Sequence, residues 1–265
     1  MTQIIAFSGL RSAGKTTSRN YVMGTRMVEM GVISRFSISD KGELVVPTVV
    51  NDELHDSPML VDAPLFRSHP WVNQCIYPIC KNFSFAYELR VFCCDYLGLS
   101  NEMLFGSYEN KLKDTHIKWA SVPKVPGLTK GKTEYMTVRD VLEYFGGLMR
   151  QFNPNVWVDK VISQIQENTS CLVIIDDVRY PNEVKAIQAV GGVVIRLTRS
   201  VSEEIDSDKP LAKENFDWAG FDVVLDNQNL GIHGTNLLVH AKLAELGIFQ
   251  DNISEAELPE PVLPS

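Results

Sequence analysis

Short, mostly apolar runs alternate along this chain with longer segments whose apolar residues recur every three or four positions. "IIAF", "CLVII", "VVIRL" and "DVVL" are too brief for helices and predict strands covered on both faces. "KTTSRNYVMGTRMVEM" has the helical period and is stopped by Gly31. "FSFAYELRVFCCDYLGLS" begins as strand and continues as helix, with Ala86, Leu89, Phe92, Cys93, Tyr96 and Leu97 at helical spacing. "TVRDVLEYFGGLMRQF" is the best helix, with Thr137 and Asp140 as a capping-box-like start. Its apolar stripe is Val138, Val141, Leu142, Phe145, Leu148, Met149 and Phe152. "NVWVDKVISQIQEN", "PNEVKAIQAVGG" and "TNLLVHAKLAELG" predict three more helices, the second opened by Pro181 and closed by glycine.

Strands alternating with helices predict an α/β fold, a parallel sheet of about five strands flanked by helices. In such sheets ligands gather at the carboxyl ends of the strands. That edge collects the loop after "IIAF", the acids after "CLVII", Arg199 after "VVIRL" and Asn227 after "FDVVLD". "SDKGEL" lies between two strand-like runs and reads as a hairpin, residues 47–82 have many prolines and no clear period and read as a lid-like excursion, and the insertion as a whole spans about 37–79. "PKVPGLTKGKTEYM" reads as a loop. The expected domain spans 1–250, followed by a flexible acidic tail at 251–265.

Composition narrows the function classes. Charged side chains number 25 basic and 33 acidic, a net charge of −8, which is a poor start for sequence-independent DNA binding. Residues 1–36 invert the sign locally, with Arg11, Lys15, Arg19, Arg26 and Arg35 against Glu29 alone, which points to a local anion site. No run of eighteen apolar residues exists, so no membrane span is expected, and the N-terminus reads as a strand rather than a signal peptide. Five cysteines without a C-x-x-C pair argue against zinc and disulfides and suit a reducing cytoplasm. The five histidines are scattered and offer no metal or triad spacing.

Candidate chemistry begins at "GLRSAGKTT", residues 9–17, which fits the phosphate-loop spacing G-x-x-x-x-G-K-[ST] between a strand and a helix. Gly9, Arg11, Ser12, Ala13, Gly14 and Thr17 would cradle the phosphates of ATP, Lys15 would bridge the outer ones, and Thr16 would ligate Mg2+. In "IIDDVRYPNE" a strand-end carboxylate, Asp177 or Asp176, would complete the metal site. The plainer reading is an Asp capping the next helix. Arg179 lies two residues on, placed for a phosphate. Arg139 and Arg150, eleven residues apart, differ by only about 20° around a helix axis. Glu143 and Gly146 fall on the same line, so this face could meet a monophosphate. Gly146 and Gly147 in a helix interior cost roughly 2 kcal/mol against alanine, and a close neighbour, ligand or helix, should compensate. Asn227 could read an adenine edge, or simply turn the chain.

"GLRSAGKTT", "FSFAYELR", "TVRDVLEYFGGLMRQFNPNVWVDKV" and "IIDDVRYPNEVKAIQAVGGVVIRLTR" together resemble the bacteriophage deoxynucleoside monophosphate kinases, members of the P-loop nucleoside monophosphate kinase fold. The resemblance covers roughly residues 3–36 and 80–230. It implies acceptor-binding helices over about 84–167 and a lid over about 199–221. Lys15 and Thr16 would hold triphosphate and magnesium, Arg139, Arg150 and Arg179 the acceptor or transferring phosphate, and Arg199 would begin the lid. Arg90 stands where the family often has Lys, and residues 37–79 have no counterpart. The implied reaction is ATP-dependent phosphorylation of deoxynucleoside 5′-monophosphates in the (host) cytoplasm, and a homodimer is compatible with it. The alternative is a kinase acting on the hydroxymethyl group of 5-hydroxymethyluracil in phage DNA, an alcohol acceptor that would need a base such as Asp177.

Overall fold

The structure, a computed structural model, describes residues 2–106, 108–129, 134–199 and 220–249. The chain divides into two compact units, one of residues 1–60, 70–83 and 168–265, the other of residues 61–69 and 84–167.

The first unit is built on β1 (Gln3–Gly9), followed by α1 (Lys15–Glu29). An antiparallel sheet comes next: β2 (Ser37–Ile38), β3 (Leu44–Val50) and β4 (Glu53–Pro58). The main sheet resumes with β5 (Cys80–Phe83), and then β8 (Leu172–Val178), α8 (Pro181–Ala189), β9 (Val193–Leu197), β10 (Val223–Leu225) and α9 (Ile232–Glu245). The sheet order is β10-β9-β1-β8-β5, with every pair parallel, so all five carboxyl ends lie on one edge. Ile5, Ala6 and Phe7 of β1 and Leu172 to Ile175 of β8 are wholly buried, as strands covered by helices on both faces should be.

One expectation for this unit needs correction. The hairpin expected at "SDKGEL" is present, with β2 and β3 paired antiparallel, but the stretch from 47 is not without order: β3 continues into it and forms a regular hairpin with β4, turned by Asn51 and Asp52, both at positive φ (53° and 64°), the geometry of a two-residue hairpin turn. Pro47 sits in β3 beyond the two residues that pair with β2, so that stretch of β3 is locally an edge and tolerates a missing N–H. As expected, "FSFAYELR" starts in strand, with Phe83 the last residue of β5, and is helical from Phe85.

The second unit holds α2 (Pro64–Ser68), α3 (Phe85–Leu97), α4 (Asn101–Phe105), α5 (Tyr108–Lys111), β6 (Asp114–Lys118), β7 (Tyr135–Thr137), α6 (Val138–Phe152) and α7 (Val156–Gln166). β6 and β7 form an antiparallel ribbon, so the end of the segment read as loop is a strand. The capping box at α6 is present: Asp140 N–H donates to Thr137 Oγ1 at 3.1 Å, and Thr137 N–H to Asp140 Oδ2 at 3.0 Å. Leu89, Cys93, Trp119, Val141, Tyr144 and Trp157 centre the core of this unit. Phe152 does not extend the α6 stripe. It is 87% exposed, because it ends the helix where the chain turns into α7. Among the described residues, no helix is long and apolar enough to cross a membrane. The tail at 251–265 and most of the expected lid, residues 200–219, lie outside the described residues.

Candidate active site

The loop after β1 is shaped by its two glycines. A Cβ on Gly9 would stand 2.9 Å from Ala13 Cβ and 3.0 Å from the Leu197 carbonyl, so the turn closes only around glycine. Gly14, at φ 101°, adopts a left-handed conformation and delivers the chain into α1. α1 opens with no side-chain cap and no acidic residue in its first turn. Its leading N–H groups and the positive end of its dipole are therefore unmatched by any anionic side chain of the turn, which suits a bound anion. The Lys15 ammonium donates to the carbonyls of Gly9 (2.9 Å) and Leu10 (2.7 Å), folding back across the loop. Arg11, Ser12 and Thr16 are exposed, while Ala13 is buried beneath them.

Thr17 is differently placed. A Cβ on Gly42, in the β2–β3 turn, would collide with Thr17 Oγ1, so the inserted sheet presses on the first turns of α1. From that contact a polar chain runs inward. Asn20 Nδ2 donates to the Gly42 carbonyl at 2.7 Å, Arg19 Nε donates to Asn20 Oδ1 at 3.1 Å, and the same Nε lies 3.7 Å from Asp176 Oδ2. Arg19 is 2% exposed and Asp176 is buried.

The two carboxylates lie inside β8 rather than after it. Ala6 pairs with Ile175 and Ser8 with Val178, so β8 carries one extra residue at Asp176–Asp177, a bulge that suspends the strict alternation of side chains. Asp176 turns to Arg19, and Asp177 is half-buried. Neither caps the next helix. That role falls to Glu183, buried, whose Oε2 accepts the N–H groups of Arg179 (2.6 Å) and Tyr180 (3.0 Å). Arg179 is thereby fixed at its backbone, and its exposed side chain makes no hydrogen bond or ion pair among the described residues.

Asn227 needs a correction. Its side chain is fully buried and its polar atoms are engaged by protein: Nδ2 donates to the Ala13 carbonyl at 2.9 Å and to Thr235 Oγ1 at 3.4 Å, and Oδ1 accepts the Arg199 N–H at 2.8 Å. It cannot also read an adenine edge. Arg199 is half-buried, with Nη1 3.4 Å from the Leu230 carbonyl.

In the helical unit, Arg139 Nε is 2.7 Å from Glu143 Oε1, one turn along the shared face. Arg150 Nη1 reaches back to the Gly146 carbonyl at 3.4 Å, which Trp157 Nε1 also approaches at 3.4 Å. The neighbour that compensates Gly146 is a helix: a Cβ there would meet Leu89 Cδ2 of α3 at 2.9 Å. Gly147 is crossed in the same way by Leu128 at 2.5 Å. The Arg90 guanidinium lies 5.7 Å from the centre of the Phe105 ring.

Sequence reasoning passed over Glu183 and Arg196 and read Arg19 only as part of the basic stretch that points to an anion site. Arg196, buried in β9, donates from Nη1 to Ser8 Oγ at 3.1 Å, and Ser8 Oγ donates to the Val178 carbonyl at 3.3 Å, bracing three strands beneath the loop. Burial pushes its guanidinium pKa down. The signal was available: one charge within a run read as covered on both faces must find a partner.

No model of a known protein family matches the chain, and no curated protein matches it either.

Proposed function

We propose that this protein is an ATP-dependent kinase that phosphorylates deoxynucleoside 5′-monophosphates. The observation that carries the reading is the uncapped, acid-free start of α1 beneath a glycine-shaped loop whose carbonyls gather the Lys15 ammonium. A triphosphate placed there would meet backbone N–H groups, a helix N-terminus and a lysine able to swing from carbonyl to phosphate.

Magnesium fits the same place. An ion that keeps waters and phosphate oxygens for most of its shell needs only one or two protein ligands. Thr16, exposed in the first turn of α1, and Asp177 at the β8 bulge would hold it, with Asp176 and Arg19 as neighbours. When bound, the ion supplies charge neutralisation for the phosphate oxygens.

In the reaction assigned here, an oxygen of the acceptor's phosphate attacks the γ-phosphorus of ATP. The bond to the β–γ bridging oxygen breaks, giving a nucleoside diphosphate and ADP. Lys15 offsets charge on the transferring group, and Arg179 is free to join it. Arg90, Arg139 and Arg150 are assigned the acceptor's 5′-phosphate because guanidinium forks match phosphate oxygens. No general base is required, since the acceptor is already ionised.

Phosphate transfer from labelled ATP to a panel of deoxynucleoside monophosphates, beside duplex DNA containing 5-hydroxymethyluracil, tests the reading. Transfer to at least one monomer is expected, with Lys15→Ala slower by about 10²-fold or more and unchanged in fold. Transfer to the duplex alone would replace the acceptor and keep the kinase. No transfer by the wild-type protein to any of them would end the proposal.

A further inference from the structure

We infer that Asn227 is a positioning residue that registers Arg199 against the phosphate loop, an assignment that rests on the kinase reading above. The end of β10 is tied to the end of β9 by a compact set of bonds. Thr198 Oγ1 donates to Asp226 Oδ1 at 2.8 Å and accepts the Asn227 N–H at 3.2 Å. Gln228 closes the set, its N–H reaching Asp226 Oδ1 at 3.2 Å and its Nε2 the Thr198 carbonyl at 3.1 Å. The Thr198 N–H in turn donates to the Leu225 carbonyl at 3.2 Å.

Asn227 alone among these residues reaches the loop. One side-chain amide bonds in opposite senses to two backbone groups, as donor to the Ala13 carbonyl and as acceptor from the Arg199 N–H. Gly14 rests on the same support: a Cβ there would stand 3.8 Å from Asn227 Nδ2, 3.9 Å from Leu197 Cδ1 and 3.9 Å from Thr235 Cγ2. Because the amide is wholly buried, water offers no substitute for either bond. The pair of bonds needs one donor and one acceptor on a single planar group. An amide supplies both, whereas a carboxylate lacks the donor and an aliphatic side chain lacks both. A buried amide so placed would fix where the loop's N–H groups point and how far Arg199 stands from them.

Asn227→Asp keeps the shape and the bond from Arg199 but sets a carboxylate against the Ala13 carbonyl. Thr235→Val keeps the shape beside Asn227 and spares both key bonds, which makes it the control for a merely structural loss. Binding of a fluorescent ATP analogue would be measured by titration well below each variant's melting temperature, with KM and kcat beside it. Asn227→Asp should weaken the analogue and raise the KM for ATP by about tenfold or more, the loss expected when a buried group is left mispaired. The acceptor KM should hold, and Thr235→Val should stay within about twofold of wild type, less than one ordinary hydrogen bond. Wild-type affinity in Asn227→Asp, or equal losses in both variants, would overturn the inference. A wild-type protein that fails to bind the analogue would instead remove the kinase reading on which it stands.

Discussion

At the scale of single residues, the pairing of Arg19 with Asp176 sets the clearest energetic stake near the candidate site. Both are buried, and at 3.7 Å the ion pair is a loose one, steadied by Asn20. Removing one member of a buried pair leaves the other charge out of water without that partner, at a cost of about 3–5 kcal/mol. Arg19→Met should therefore lower the urea midpoint markedly, and adding Asp176→Asn should recover much of the loss. If the single variant matches wild type in urea, Asp176 does not depend on Arg19. The motif Gly9 to Thr16 was legible because its spacing encodes a backbone shape. Arg19 was not, because nothing in "TTSRNY" says which side of the helix will be covered by an inserted turn. Asn227 was placed on the right edge of the sheet from its strand, but the chemistry of an Asn alone does not tell whether its amide faces ligand or protein.

At the scale of elements, the strands that the sequence pattern found are those dominated by short apolar runs, β1, β8, β9 and β10, with Arg196 the one charge inside β9. β5 escaped because "CKNF" carries Lys81 and Asn82. As an edge strand it tolerates the lysine, whose ammonium lies 4.9 Å from the Tyr77 ring centre and 5.2 Å from that of Phe83. The β3–β4 hairpin escaped for a different reason: many prolines and no clear period masked the stretch from 47, and only the positive φ of Asn51 and Asp52 reveals the turn. α6 was legible at both its cap and its period, yet the meaning of its glycines was not, since spacing cannot distinguish an approaching ligand from an approaching helix. With Leu89 of α3 meeting Gly146, the substitution Gly146→Leu must displace α3 or strain its own rotamer. Overpacking of this kind costs about 1–3 kcal/mol. The variant should unfold at lower denaturant than wild type even in the absence of nucleotide. Equal midpoints would mean that the α3–α6 contact yields without strain.

At the scale of the whole molecule, charge rather than fold separates the two acceptors. The chain carries a net charge of −8, so a polyanion would be repelled overall and could be held only through local basic surface. The first 36 residues offer such a surface, but part of it is spent internally. Arg19 is buried against Asp176, Arg26 donates to the Ile248 carbonyl and pairs with Glu29, and Arg35 pairs with Asp56 through bonds of 2.8 and 3.0 Å. What remains suits a compact anion better than a strand of phosphates. Salt dependence turns this into a measurement. A protein that neutralises several DNA phosphates loses affinity with a log–log slope of about −0.9 per contact, whereas a free mononucleotide carries no condensed counterions to release. Between 50 and 200 mM salt, the KM for a mononucleotide should therefore rise only a few-fold, the effect of ordinary screening. A rise of 10³-fold or more across the same range, measured with duplex substrate under identical conditions, would mark a polymer acceptor and displace the monophosphate from its role.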